Sequence, residues 1–563
     1  MTNKNQLTKM IVAMIAATAI FSFLGPLKLS GQGKNEEVNI IAPYNPTVTA
    51  SQKINRNPKM VFSEPRPLPE IEYEINTMKI STGVTPDNPR PARVPGEPRK
   101  DLYRSHIRAG FGTYITPYFE LWVNSLQSDD FNAGAHIGHL SSFGEIKNYA
   151  KSSFSNTIAE AYASKYFNNN SIGGKIYYSN QTVHRYGFMP ADFPQFTFDD
   201  KDLRQAFNKV GLDFNLASNN TETDAFNYAI KFQGYHLFDR FESTETGLFA
   251  GFDIAKKTDL FNNRRSQETG IKLSTDYYLN KDSISDYKGG IVSATPFIDL
   301  DLKPYSIFIG LKFDYRMDTA SKLHFYPLIR AEAALIENTL TVYAALDGGS
   351  KRISYDRLIN ENPFVNSILP LDYSHTYEFS GGIKGRIAEI VDYDAGAEFS
   401  LVDNMPMFVN DTATITQNTF DLVYDDAGIF SVFGELGFRS RSDFGISMKA
   451  AYHSYAMDNE EKAWHKPSLE LSLNSFYVIR EKLTLNAGLN SFQGVYARSF
   501  VNRKVVPVQI DGWFDLSLGA EYRITEQFSA FIRLNNLLNN GYFRWYQYPV
   551  QKFNVLAGLG FSF

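Results

Sequence analysis

From about residue 104 to the end of the chain, apolar and polar residues alternate one by one. The last segment shows it best. Phe553, Val555, Ala557, Leu559, Phe561 and Phe563 fall on one face, and Lys552, Asn554, Gly558, Gly560 and Ser562 on the other, with Leu556 the exception. Phe514, Leu516, Leu518, Ala520 and Tyr522 oppose Asp515, Ser517, Gly519 and Glu521, and Phe528, Ala530, Ile532 and Leu534 oppose Ser529, Arg533 and Asn535. Period two is the mark of strands with one wet and one dry face. The segments run about 10 to 14 residues, longer than the five or six usual in a soluble sandwich and right for tilted membrane strands.

About 22 such segments are expected, an even number in the range 18–22, centred from near residue 110 to near residue 557. Unpaired backbone groups in lipid cost several kcal/mol each, so such a sheet must close. The predicted fold class is therefore all-β, a transmembrane antiparallel barrel over residues 104–563. Connection lengths agree in phase. Asn168–Asn170, Ile336–Asn338 and Thr525–Glu526 are short, as periplasmic turns are, while His184–Asp202, Gly348–His375, Asp403–Gly428, Met457–Lys466 and Phe492–Gln509 read as long outer loops. A faint repeat, Tyr477–Leu483 and Tyr522–Phe528, places an aromatic before a polar turn containing glutamate in both cases.

Composition narrows the alternatives. With 563 residues the chain has room for three or four soluble domains of about 150 residues, yet 33 Tyr and 45 Phe suit a lipid face and its interfacial girdles. A mean hydropathy of −0.29 is too polar for a bundle of apolar helices. The net charge of −5 argues against nucleic acid as a partner. The absence of cysteine excludes disulfides, thiolate metal sites and a cysteine nucleophile.

The first 33 residues read as an export signal: Lys4 and Lys9, then the uncharged stretch Ile11–Leu24, then Pro26 and small residues at Ser30, Gly31 and Gly33. Residues 34–103 read as an arm. Eleven of the 24 prolines lie between Lys34 and Lys100, which rules out a central strand or long helix there. Within it Val38, Asn39, Ile40 and Ile41, and the stretch Ile71–Ile75, are strand-like, so the arm could pair with the sheet of a periplasmic protein or enter the lumen.

The C-terminal region, from Trp513 through Arg533–Pro549 (RLNNLLNNGYFRWYQYP) to Phe563, resembles the barrel of TonB-dependent receptors. Ala42–Thr47 (APYNPT) followed by Ala109–Pro117 (AGFGTYITP) resembles the plug-poor, receptor-like barrels of the Bacteroidota. The resemblance implies a bacterial outer-membrane location, contact with lipid and lipopolysaccharide, and insertion by the barrel-assembly machinery, with the terminal Phe563 as the assembly signal. It departs from the family in one respect. Only 67 residues, Lys34–Lys100, stand between signal and barrel, too few for the family's folded plug. The lumen would then be filled by the arm, by loops folded inward or by a partner, or the barrel would be narrower.

No catalytic, cofactor or metal constellation emerges, and the chain is not expected to be an enzyme. His136 and His139 are three apart on a strand and face opposite ways. Asp200, Asp202, Asp301, Asp425 and Asp426 read as solvated charge rather than cation ligands. Gly110, Gly112, Gly382, Gly558 and Gly560 read as relief of crowding on strands. Two functions follow. In the first, the barrel takes part in transport or uptake, with lumen residues such as Asp515, Glu521, Arg533 and Lys552 setting selectivity. In the second, it is a structural or assembly subunit of an envelope complex, acting through its arm.

Overall fold

The computed structural model describes residues 103–563 apart from 127, 129, 221–224, 259–266, 319–320, 441–442 and 502–503. The export signal, the arm and its Val38–Ile41 segment lie outside the described residues.

Alternation becomes a wall. One 22-stranded antiparallel sheet runs in chain order from Ser105–Gly112 to Asn554–Ser562, and these two strands pair with each other, so the sheet closes on itself. Phe563 reaches one residue further and exchanges two backbone hydrogen bonds with Ser105. The strand Arg204–Ser218 shows how sequence sets the faces: Val210, Leu212 and Phe214 stand exposed on the outside, while Gln205 and Phe207 are buried on the inside. Ile176 and Leu559 are 65% and 63% exposed on the same outer surface. An apolar surface continued from strand to strand around the wall is far larger than a soluble monomer leaves in water. It is the lipid face. No helix among the described residues is long and apolar enough to cross a membrane; the strands cross instead.

The connections alternate in length around the ring. Residues 168–169, 303–304, 337–339, 388–390 and 480–482 make turns at one end; residues 185–203, 353–372, 458–468, 494–512 and 536–553 emerge at the other, which is therefore the outer end. The repeat Tyr477–Leu483 and Tyr522–Phe528 does not extend to backbone geometry. Arg480 and Glu481 both have positive φ, 51° and 56°, as a tight hairpin of the primed type requires, whereas the second turn is closed by Phe528, whose carbonyl accepts the N–H of Ile524.

Two expectations about loops need correction. Asp403–Gly428 is not a loop: Val391–Asn410 and Phe420–Ser440, 20 and 21 residues long, continue their ladder past a register shift at Val402/Met405. Met407, Phe408 and Val409 then bury against neighbouring loops rather than against lipid, so period two with a lipid face is not the pattern there. Asp425 consequently sits in a strand and is buried; its carboxylate accepts the backbone N–H groups of Asn459 and Glu460, and it is not solvated loop charge. The stretch Phe492–Gln509 does lie in an outer connection, within which Val495–Val501 and Lys504–Ile510 pair as a separate hairpin.

Candidate functional site

Charge lines the lumen as cross-strand pairs. Lys175 lies 3.3 Å from Asp213, Lys384 2.6 Å from Glu332 and Lys449 2.9 Å from Glu435, all on inward positions. Arg108 on the first strand pairs with Glu521 next to the closing seam. Arg108 and Arg533 both stack on the ring of Phe531, at 4.9 and 5.5 Å from its centroid. That ring lies over the facing glycines Gly110 and Gly558, where a Cβ on Gly558 would stand 2.5 Å from it. Phe531 is thus an aromatic on the wet face, seated on glycines that leave room for it. Leu556, the exception in the alternation of the last strand, packs with Phe531 and Tyr118 in the same inner cluster.

The outer mouth is built differently. One apolar core gathers Val183, Phe207 and Leu237 from the fifth to seventh strands, Tyr355, Leu358 and Ile359 from the 353–372 connection, Phe408, Phe420 and Leu422 from the fifteenth and sixteenth strands, and Trp545 and Tyr548 from the last connection. The sixth and sixteenth strands stand ten apart in a ring of 22, almost opposite each other. A core that buries residues of both spans the mouth. At its centre the Tyr548 ring stacks on Phe364 at 3.8 Å and meets Tyr186 edge-on at 4.9 Å, and its hydroxyl donates to the Asn418 carbonyl. Of the possible fillers of the lumen, the described residues display one: outer connections folded inward.

Two titratable groups in these connections are perturbed. His465 is buried between Phe420 and Trp545, with Nδ1 2.9 Å from the Phe408 carbonyl oxygen; burial, with Lys466 beside it, lowers its pKa from 6.5 to about 4. Asp411 is pushed up by burial, but the backbone N–H groups of Ala413 and Thr414 outweigh this and hold its carboxyl below the usual range.

Charged groups, besides the apolar core, hold the connection 353–372. Its short helix, Tyr355–Glu361, is capped by Ser354, whose hydroxyl accepts the Arg357 N–H. Glu245, fully buried on the eighth strand, accepts the backbone N–H groups of Tyr355 at 2.7 Å and Asp356 at 2.9 Å, together with Asn280 Nδ2 and the Tyr235 hydroxyl. Asp239 accepts the Tyr355 hydroxyl at 2.9 Å, and Lys209 pairs with Asp356 at 2.7 Å. Beneath the helix a cavity of about 440 Å³ opens, lined by Asp356, Ile359 and Asn360 from the connection and by Ser179, Gln181 and Lys209 from the wall.

Of the residues singled out in the sequence, Glu521 and Arg533 sit together at the seam, where the Arg533 guanidinium lies 3.3 Å from the Tyr118 hydroxyl. Asp515 stands nearer the outer end and accepts the Tyr542 hydroxyl at 2.5 Å. Lys552 precedes the last strand, which starts at Asn554, and so belongs to the outer connection. Phe563 is at the seam with Ser105. His136 stacks on Trp122 at 4.9 Å, and His139 bonds Thr157 across the strands. Asp200 pairs with Lys151 and His184. Among the described residues no group of three or more acidic or histidine side chains is placed to hold a metal ion. Sequence reasoning missed Glu245, Asp239 and the helix they hold. Alternation does put Glu245 on the inner face, opposite in phase to the exposed Leu248, but nothing local shows that residues 110 further along descend onto it.

No family model and no curated protein sequence matches the chain. Solved structures do. The barrel superposes on FpvA of P. aeruginosa bound to heterologous pyoverdines with a TM-score of 0.61 at 13% identity, over 83% of this chain and 72% of that one. For the ferric-catecholate import receptor Fiu from E. coli K12 the TM-score is 0.62 at 10% identity, covering 82% of each chain. For the siderophore receptor PirA from Acinetobacter baumannii it is 0.62 at 12% identity, over 83% of this chain and 81% of that one. The fold is that of the TonB-dependent receptor barrels. At such identities the likeness is one of architecture, and the mouth and lumen residues described above are this chain's own.

Proposed function

We propose that this chain is a bacterial outer-membrane receptor-like barrel that takes part in uptake of a solute through its lumen, and that it is of the Bacteroidota type without a plug domain of its own. The observation that carries the reading is the combination of a closed 22-strand wall, wide enough to pass a solute, with an outer mouth covered by the chain's own connections. A barrel serving only as an anchor has no need of a wet, ion-paired lumen behind a built cover. The solved barrels of the same fold are named as receptors and importers, which supports the same reading. In this proposal residues 34–103 form a periplasmic or lumen-entering arm, the wall contacts lipid and lipopolysaccharide, and the barrel-assembly machinery inserts it.

Uptake of a panel of labelled solutes, compared between cells with and without the chain, tests the proposal. At least one solute is expected to enter only when the chain is present. No difference across the panel, together with a stable complex of the chain with periplasmic proteins, would sink it in favour of an assembly role.

A further inference from the structure

The outer face of the wall is not uniform around the ring. Thr157, Asn180, Asn208 and His236, on the fourth to seventh strands, each stand ten residues from the short-turn end of their strand. They share the outward parity of Ala159, Tyr178, Val210 and Phe232, so they form one polar row on the outside. On the far side of the ring Phe430 holds the same place, ten residues from Ser440, and is 47% exposed. Members of the row are tied across the strands. His139 bonds Thr157 at 2.8 Å, the Tyr178 hydroxyl and Asn180 Nδ2 each donate to Asn208 at 2.9 Å, and His236 lies 2.9 Å from the Thr246 hydroxyl. Amides and imidazoles on a lipid face are costly unless they lie at headgroup level, where polar lipid atoms complete their hydrogen bonds.

Below the row a groove of about 790 Å³ runs over the third to eighth strands. Register sets its relief: Ala135 and Ala161 are followed across the strands by Ile176 and Leu212, then by Gly234, then by Leu248. Two hollows, over the alanines and over Gly234, therefore flank a ridge of larger side chains. Above the row, Arg204 and Arg240 each lie four residues beyond Asn208 and His236, roughly 10 Å higher on tilted strands. Both are exposed, and the Arg240 guanidinium donates to the Arg204 carbonyl at 3.4 Å. Neither has a carboxylate at ion-pair distance among the described residues.

We propose that this sector is a binding site for lipid A, the phosphorylated and multiply acylated glucosamine disaccharide of lipopolysaccharide. Acyl chains lie in the two hollows, sugar hydroxyls and amides meet the polar row, and a phosphate meets Arg204 and Arg240. Three strand spacings, roughly 14 Å, separate Thr157 from His236, a span that suits a disaccharide and exceeds one glycerophosphate. Two guanidiniums without carboxylate partners match phosphate in charge and in bidentate geometry. The proposal rests on the wall being an outer-membrane barrel with its long connections outward. It is independent of what passes through the lumen.

The full chain, purified in mild detergent and freed of bound lipid, is titrated with lipid A or with phosphatidylglycerol and read by native mass spectrometry. The parent is expected to bind lipid A at least tenfold more tightly than phosphatidylglycerol. Arg204→Gln with Arg240→Gln is expected to weaken lipid A binding tenfold or more and to leave phosphatidylglycerol binding unchanged. Ala161→Phe, which fills one hollow, is expected to weaken lipid A binding as well, whereas Phe430→Ala on the opposite side leaves it unchanged. If Ala161→Phe yields no heat-modifiable barrel, the arginine pair, exposed above the apolar wall, carries the test.

Equal affinity of the parent for the two lipids overturns the site and leaves only the contact any lipid makes with the wall. So does a folded arginine variant that binds lipid A as tightly as its parent. Lipid binding by the purified chain is read apart from uptake, so either reading can fail while the other stands.

Discussion

Ser105 and Phe563 exchange both of their backbone hydrogen bonds, at 2.9 and 3.0 Å, and so the last residue of the chain completes the ring begun by the first strand. Chain closure and side chain can be separated here. Deleting Phe563 removes both bonds and, at about 1 kcal/mol each, frays the short-turn end of the seam by roughly 2 kcal/mol. Phe563→Ala keeps the bonds and loses only the ring. Barrel yield and the midpoint of urea unfolding, followed by heat-modifiable migration, are expected to fall for the deletion. If the alanine variant alone abolishes assembly while its purified, refolded barrel is as stable as the parent, the ring acts as the recognition signal.

The outer face is assigned to lipid, and one strand offers a paired control. Leu212→Arg puts a charge among exposed apolar side chains and is expected to cost about 2–4 kcal/mol in bilayers, as charge does near the midplane of a barrel. The neighbouring inward position, occupied by Asp213 beside Lys175, tolerates a polar exchange such as Asp213→Asn within about 1 kcal/mol. Equal costs at the two positions would reverse the assignment of faces.

Tyr548 is the keystone of the mouth, with three ring partners and a hydroxyl bonded to the Asn418 carbonyl. Tyr548→Ala is expected to cost about 3–5 kcal/mol, localised in the outer connections. Tyr548→Phe leaves one buried carbonyl without its donor and costs about 1–3 kcal/mol. Limited proteolysis from outside should cut the alanine variant within 353–372 or 536–553, while the wall keeps its heat-modifiable migration. A wall that unfolds together with the loops would show that the two are one cooperative unit.

His465 gives the mouth a pH dependence of known sign. Its folded pKa is lowered to about 4, below the 6.5 of a free histidine, so protons bind the released segment more readily than the packed one. The stabilisation is complete above pH about 6.5, declines as pH falls toward about 4, and changes no further below that. The total is on the order of 3 kcal/mol. Protease resistance of residues 458–468 should weaken across that window. His465→Gln, which can still donate to the Phe408 carbonyl, should flatten the profile; an unchanged profile would place the titrating group elsewhere.

Much of this was legible without coordinates. Period two, segment length and the phase of short and long connections specify an even-numbered closed barrel, because lipid tolerates no sheet edge and each side chain flips face with each residue. They place Glu521 and Arg533 on the inner face but not beside Arg108, whose meeting with Glu521 exists only because the first strand joins the last. Phe531 breaks the polar run of its inner face, and only the closed seam, with Gly110 and Gly558 opposite, explains why an aromatic fits.

Beyond the membrane the code changes. Val391–Asn410 and Phe420–Ser440 outrun the bilayer, and at their outer ends Met407, Phe408, Val409, Phe420 and Leu422 face other connections, so the alternation that reports on lipid falls silent there. By itself the sequence determined a wall, its two faces and its two ends, since these follow from neighbours one and two residues apart. Only the tertiary structure decided that the outer end is covered and which residues hold the cover. Glu245 and Tyr355 are 110 residues apart, and a contact set by packing across a ring leaves no periodic trace in either segment.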